Sequence, residues 1–119
     1  MFTTLQVEFI TPDKWLLLND LKWTNGMGRT VIIPAGFDTD FASVPRLGQS
    51  IVRKLGSHTL PSVLHDWLYW SATERNEKVR KEADNTFLLA MEQEGTPWFT
   101  RNLMYRAVRD FGAVIFYKK

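Results

Sequence analysis

The sequence predicts an α+β domain, a small N-terminal antiparallel β-sheet followed by a bundle of three to four helices. Three observations lead there. Short runs of β-branched and aromatic residues, broken by turn residues, fill positions 1–45, and after Pro45 the apolar spacing becomes helical. A chain of 119 residues suits one domain with one core. Hydrophobic residues make up 45% and charged residues 24%, a globular balance rather than a disordered one. The expected organisation is therefore a single domain over 1–119, with a β-rich half at 1–45 and a helical half at 46–119.

Residues 5–10 alternate Leu5, Val7 and Phe9 with Gln6 and Glu8, the pattern of a half-buried strand. Thr11-Pro12-Asp13 makes a turn, and residues 15–18 give a second strand. Residues 21–24 and 29–33 flank Asn25-Gly26-Met27-Gly28, a hairpin signal because Asn and Gly accept positive φ. Pro34-Ala35-Gly36 closes that strand and opens a loop over 37–46. A short helix is expected over 47–55, stopped by Gly56. Pro61 suits the first turn of a helix over 61–72. The polar link Thr73-Glu74-Arg75-Asn76 leads into a helix over 77–93, ended by Gly95 and Pro97. A last helix over 99–111 carries Leu103, Ala107 and Phe111 on one stripe, with Arg101, Arg106 and Arg109 on a solvated face.

Fifteen basic against 13 acidic side chains give a net charge of +2, with no block of like charge, so nucleic acid is not an expected partner. The five tryptophans are accordingly assigned to core or interface rather than to base stacking. No cysteine is present, which excludes disulfides and thiolate metal sites. The first residues do not resemble a signal peptide, and no apolar run approaches the ~20 residues of a transmembrane segment. Ser43 lacks a Gly-x-Ser-x-Gly setting and is rejected as a nucleophile. His58 reads as a solvated loop residue.

The chemistry concentrates on the helix Leu64-His65-Asp66-Trp67-Leu68-Tyr69. His65 and Tyr69, four apart, share a face, while Asp66 turns about 100° away. In the next helix Asp84 falls on the apolar stripe of Phe87, Leu88 and Met91, where a carboxylate needs a partner. His65 lies ten residues before Arg75 and Asp84 nine after it, so a helical hairpin turning at 73–76 brings the two to one height. Asp84 then fixes the imidazole tautomer and His65 acts as a general base toward water. Asp66 and Asp40 offer hard oxygen ligands, which suit Ca2+ better than zinc. The competing reading of the same residues is a buried polar pair that locks two helices together.

His65-Asp66-x-x-Tyr69, followed by Lys81-Glu82-Ala83-Asp84-x-x-Phe87, resembles the paired active-site helices of the compact bacterial phospholipase A2 enzymes. That resemblance implies catalytic roles for His65 and Asp84, a bond from Tyr69 to the dyad aspartate, and calcium ligation by Asp66 and Asp40. A second, longer pattern is Gly36-Phe37-x-Thr39-Asp40-Phe41-Ala42-Ser43-Val44-Pro45-Arg46, with His65-Asp66, Ala83-Asp84 and Leu103-Met104-Tyr105-Arg106-Ala107-Val108-Arg109. It is similar to a phage and prophage family known as domain of unknown function 1353, or DUF1353. The first resemblance implies a hydrolase acting on host envelope lipid; the second implies a phage origin, with synthesis in the bacterial host cytoplasm, and its label carries no established activity. The alternative is a non-enzymatic virion, tail or accessory protein that partners other phage structural proteins.

Overall fold

The computed structural model describes residues 2–3, 7–11, 14–39 and 57–118. The helix expected over 47–55 and the loop aspartate Asp40 lie outside the described residues. Among the described residues the chain forms strands β1 (Val7–Thr11), β2 (Lys14–Leu17), β3 (Leu21–Thr24), β4 (Thr30–Ile33) and β5 (Asp38–Thr39). Helices α1 (Thr59–Ser71), α2 (Glu77–Gln93) and α3 (Trp98–Lys118) follow. This is the α+β architecture that the change of period near Pro45 predicts.

The strands form two antiparallel sheets rather than one: β1-β2-β5, and the hairpin β3-β4. The cause is local. Residue 34 is a proline and Gly36 takes a left-handed φ of 92°, which turns the chain back from β4 toward β2. There Gly36 donates to the Leu17 carbonyl at 2.8 Å and Leu17 donates to the Phe37 carbonyl at 2.9 Å. The free edge of β2 is thus taken by β5, with Leu16 opposite Asp38, and β3 cannot extend the same sheet.

The hairpin forms as its turn chemistry requires. Asn25 Oδ1 accepts from the backbone of Met27 at 2.7 Å and of Arg29 at 3.1 Å, while Gly26 and Gly28 adopt φ of 80° and 96°. The pairing of Leu21 with Ile33 and Trp23 with Val31 puts Leu21, Trp23 and Ile33 on the inner face. These three pack with Leu17, Phe37, Val63, Leu64 and Ala90, which joins the strands to α1 and α2. The Trp23 indole donates to Gln93 Oε1 at 2.9 Å and so ties the hairpin to the end of α2.

α1 runs through the middle of the molecule, and residues 61–66 are buried without interruption. Asn76 caps α2 by accepting from Val79 at 2.9 Å, and Gly95 ends the following turn at φ 80°. α3 runs seven residues past the expected end at 111. Gly112 does not stop it, although glycine costs about 1 kcal/mol against alanine in a helix. Phe116, fully buried edge-on to Tyr69, holds the last turns in place. The buried stripe of α3 is Met104, Val108, Gly112 and Phe116, one residue out of phase with the expected Leu103, Ala107 and Phe111. Phe111 is 61% exposed. A helix with apolar side chains on several faces leaves its phase undetermined by period alone, and packing against Phe87 and Met91 selects this one.

Candidate functional site

α1 and α2 form the hairpin that the 73–76 link predicts, and His65 and Asp84 meet across it. His65 Nε2 lies 2.7 Å from Asp84 Oδ1, and both side chains are 0% exposed. The Tyr69 hydroxyl donates to the same oxygen at 2.5 Å. The two rings pack together with centroids 4.2 Å apart, and Phe87 closes the other side of the imidazole at 4.8 Å. Two adjacent turns of α1 therefore deliver a donor each to one oxygen on α2.

The second oxygen of Asp84 is held by arginines. Arg109 on α3 donates to Oδ2 at 2.7 Å, and Arg80, one turn back on α2, stands 3.6 Å from it. Arg80 is itself buried. It donates to the Val108 carbonyl at 3.0 Å and to both oxygens of Glu77, at 2.7 and 2.9 Å. Glu77 also accepts from Arg109 at 3.1 Å and from the Tyr117 hydroxyl at 2.8 Å. Two carboxylates and two guanidiniums thus balance in charge across α2 and α3, and no charge of Asp84 is left uncompensated.

The electrostatics follow from these contacts. Burial pushes His65 below its ordinary value of 6.5; the Asp84 carboxylate pulls the other way, and the charge of Arg80 adds to the lowering. Burial alone would raise Asp84, but bonds from His65, Tyr69 and Arg109 hold it below the usual carboxylate range. Tyr69 is raised, first by burial and then by its bond to Asp84. The Arg80 fork, followed by Tyr117, lowers exposed Glu77 to about 2.

At neutral pH, then, the imidazole is neutral and Asp84 is ionised. A nitrogen 2.7 Å from an ionised carboxylate carries the proton, so Nε2 donates and Nδ1 holds a lone pair. Nδ1 is buried and has no hydrogen-bond partner among the described residues. Ser62 Oγ, one helical turn earlier on α1, shares that condition. The arrangement can therefore take a proton at Nδ1, with ionised Asp84 stabilising the imidazolium that forms.

Of the other expected site residues, Asp66 is buried next to His65 on α1, and Asp40 lies outside the described residues. Among the described residues no three carboxylate, imidazole or thiol groups converge as a metal site would require. His58, expected in solvent, is buried at the start of α1, and burial lowers its pKa.

Arg80 and Arg109 are the site residues that sequence reasoning missed, since Arg109 reads as part of a solvated face. A signal existed for each. Arg80 stands four residues before Asp84 on one helix. Arg109 lies 13 residues after Thr96 and Asp84 12 before it, the same hairpin symmetry that pairs His65 with Asp84.

A family model described as "Protein of unknown function (DUF1353)" matches residues 15–108, a span that holds His65, Asp66, Tyr69, Arg80 and Asp84 and ends one residue before Arg109. No curated protein and no solved structure matches the chain.

Proposed function

From its membership of the DUF1353 family, whose description assigns no activity, we propose a function for this chain on its site alone: a hydrolase in which His65 draws a proton from water. The observation that carries the reading is the state of one atom. Every oxygen of Asp84 and the hydroxyl of Tyr69 are bonded, yet His65 Nδ1 is buried without a partner among the described residues. A buried polar atom with no protein partner among the described residues calls for a bound molecule, and a water bonded to Nδ1 would be placed to give up its proton there. Ser62 Oγ, one turn earlier on the same helix, is also buried without a partner among the described residues.

In this mechanism the water gives its proton to Nδ1 while its oxygen attacks the acyl carbon. The imidazolium is stabilised by ionised Asp84, which Tyr69, Arg109 and Arg80 hold in place. His65 then returns the proton to the leaving group. The resemblance of His65-Asp66-x-x-Tyr69 and Asp84 to the phospholipase A2 helices makes phospholipid the first substrate to assay, with Asp66 and Asp40 as the carboxylates to examine for any calcium dependence.

The complete burial of His65 and Asp84 favours a second reading, in which the cluster is a polar clamp between three helices. One assay separates the two. Purified protein is incubated with mixed phospholipids and with peptidoglycan, each with and without calcium, beside His65→Gln. Catalysis by His65 is expected to appear as turnover that falls about 10²–10⁴-fold in a variant that keeps the fold. No product under any condition would leave the clamp.

A further inference from the structure

A cavity of about 280 Å³ lies between the end of α1, the link that follows it and the first turns of α2, with Arg29 of the β3–β4 hairpin also in its wall. That volume is just below the range of drug-sized pockets, about 300–1,000 Å³, and suits a metabolite-sized ligand. Its floor is apolar: Leu68, Ala72, Val79 and Ala83 belong to one packed cluster. Val79 and Ala83, four apart, present one face of α2. Three charged side chains, Arg29, Glu74 and Glu82, complete the wall, and Ser71 and Thr73 add hydroxyls. Arg29 Nη1 donates to Thr86 Oγ1 at 3.0 Å, and that hydroxyl donates to the Glu82 carbonyl at 2.8 Å. The guanidinium is thus moored one turn of α2 beyond Glu82. Of its five N–H donors this bond occupies one. Among the described residues Arg29 forms no ion pair, and neither does the carboxylate of Glu74 or of Glu82. Opposite charges therefore line one cavity without neutralising each other.

These groups select a ligand by what each one holds. A guanidinium fork matches a carboxylate through two parallel bonds, and each glutamate accepts from an ammonium. One positive and two negative side chains leave the lining at −1, so its complement carries one carboxylate and two ammonium groups. An aliphatic stem between those groups covers apolar floor, as the methylenes of a lysine side chain do. From Thr86, where Arg29 is moored, to Val79 at the link end, α2 advances roughly 10 Å, comparable with an extended diamino acid. We propose that this cavity binds a free diamino acid of the lysine type. Its carboxylate sits on Arg29, its α-ammonium at Glu82 and its terminal ammonium at Glu74, with the methylenes over Leu68, Ala72 and Val79.

The site is independent of the hydrolase reading, and its test does not involve turnover. Amide shifts of the full chain are followed by NMR during titration with L-lysine, against sodium chloride at equal ionic strength. Saturable shifts are expected at Ala72, Val79 and Ala83. Norleucine, which lacks the terminal ammonium, and cadaverine, which lacks the carboxylate, should both bind the wild type more weakly. Glu74→Gln and Glu82→Gln should each weaken lysine binding about 2- to 5-fold, the range of an ion pair that solvent reaches. Arg29→Gln should abolish the preference for lysine over cadaverine, and Glu74→Gln the preference for lysine over norleucine. All three side chains are exposed, so the variants keep the fold, which their amide spectra check directly. Shifts that sodium chloride reproduces would overturn the proposal. So would wild type that binds lysine no better than cadaverine or norleucine, a comparison that needs no variant. Folded Arg29→Gln that still prefers lysine over cadaverine would overturn it as well.

Discussion

His65 links the charge state of the site to the stability of the protein. Its folded pKa lies below the 6.5 it has when unfolded, because burial disfavours the imidazolium. Well above pH 6.5 both states are neutral there and the group contributes no pH dependence. As pH falls below 6.5 the unfolded chain takes a proton that the folded one refuses, so stability falls with falling pH. One such group changes the unfolding free energy by at most about 1.4 kcal/mol per pH unit. Asp84, also lowered, acts in the same direction further down, from 3.8 through its folded value. His58 is lowered as well, so the wild-type curve contains two histidines. The comparison that isolates His65 is urea unfolding of wild type and His65→Gln between pH 7.5 and 5. The variant should show the shallower decline. Parallel curves would mean that His65 titrates alike in the folded and unfolded states, and a steeper decline in the variant would mean that it is charged in the folded protein.

At the scale of elements, three helices meet at one hydroxyl, and Gly112 is what lets them. A Cβ built at Gly112 would stand 2.7 Å from Tyr69 Oη, the group that donates to Asp84. Tyr69 cannot easily yield, since it is buried and its ring is packed against Phe116 at 5.0 Å. Gly→Ala inside a helix ordinarily gains about 1 kcal/mol, whereas forcing extra volume into a packed site costs about 1–3 kcal/mol. Gly112→Ala should therefore lower the melting temperature, and Tyr69→Phe, which deletes the hydroxyl it strikes, should remove most of that loss. Additive effects in the double variant would show that α3 does not register on Tyr69. This contact also shows where the sequence stops being legible. The α1–α2 hairpin could be read because an acid on an apolar stripe demands a partner and the link length fixes the heights. The phase of α3 could not, because Phe111, Val114 and Phe116 offer several apolar faces and only packing chooses among them. The role of Gly112 has no local signature either, since it is a steric allowance for a side chain on another element.

Across the whole molecule, one buried cluster joins α1, α2 and α3, and the strands close the far side of α1 around Leu17, Trp23 and Phe37. The α+β division was legible in the change of period near Pro45. The split into two sheets was not, because it depends on residues 34–37 folding back onto β2, a long-range pairing with no local signature. Arg109 was legible only after α2 and α3 are known to be antiparallel. Among the described residues no helix is long and apolar enough to cross a membrane. A hydrolase of this build has one requirement on the molecule as a whole: it must open enough for a reactant to reach Nδ1, short of unfolding. Diethyl pyrocarbonate, which acylates unprotonated imidazole nitrogens, measures that opening without knowledge of the substrate. The chain has two histidines, so peptide mass spectrometry resolves His65 from His58. The folded protein should be carbethoxylated at His65 Nδ1 faster than it unfolds under the same conditions. Modification of His65 only at the rate of global unfolding would contradict the account and leave His65 and Asp84 as a structural clamp.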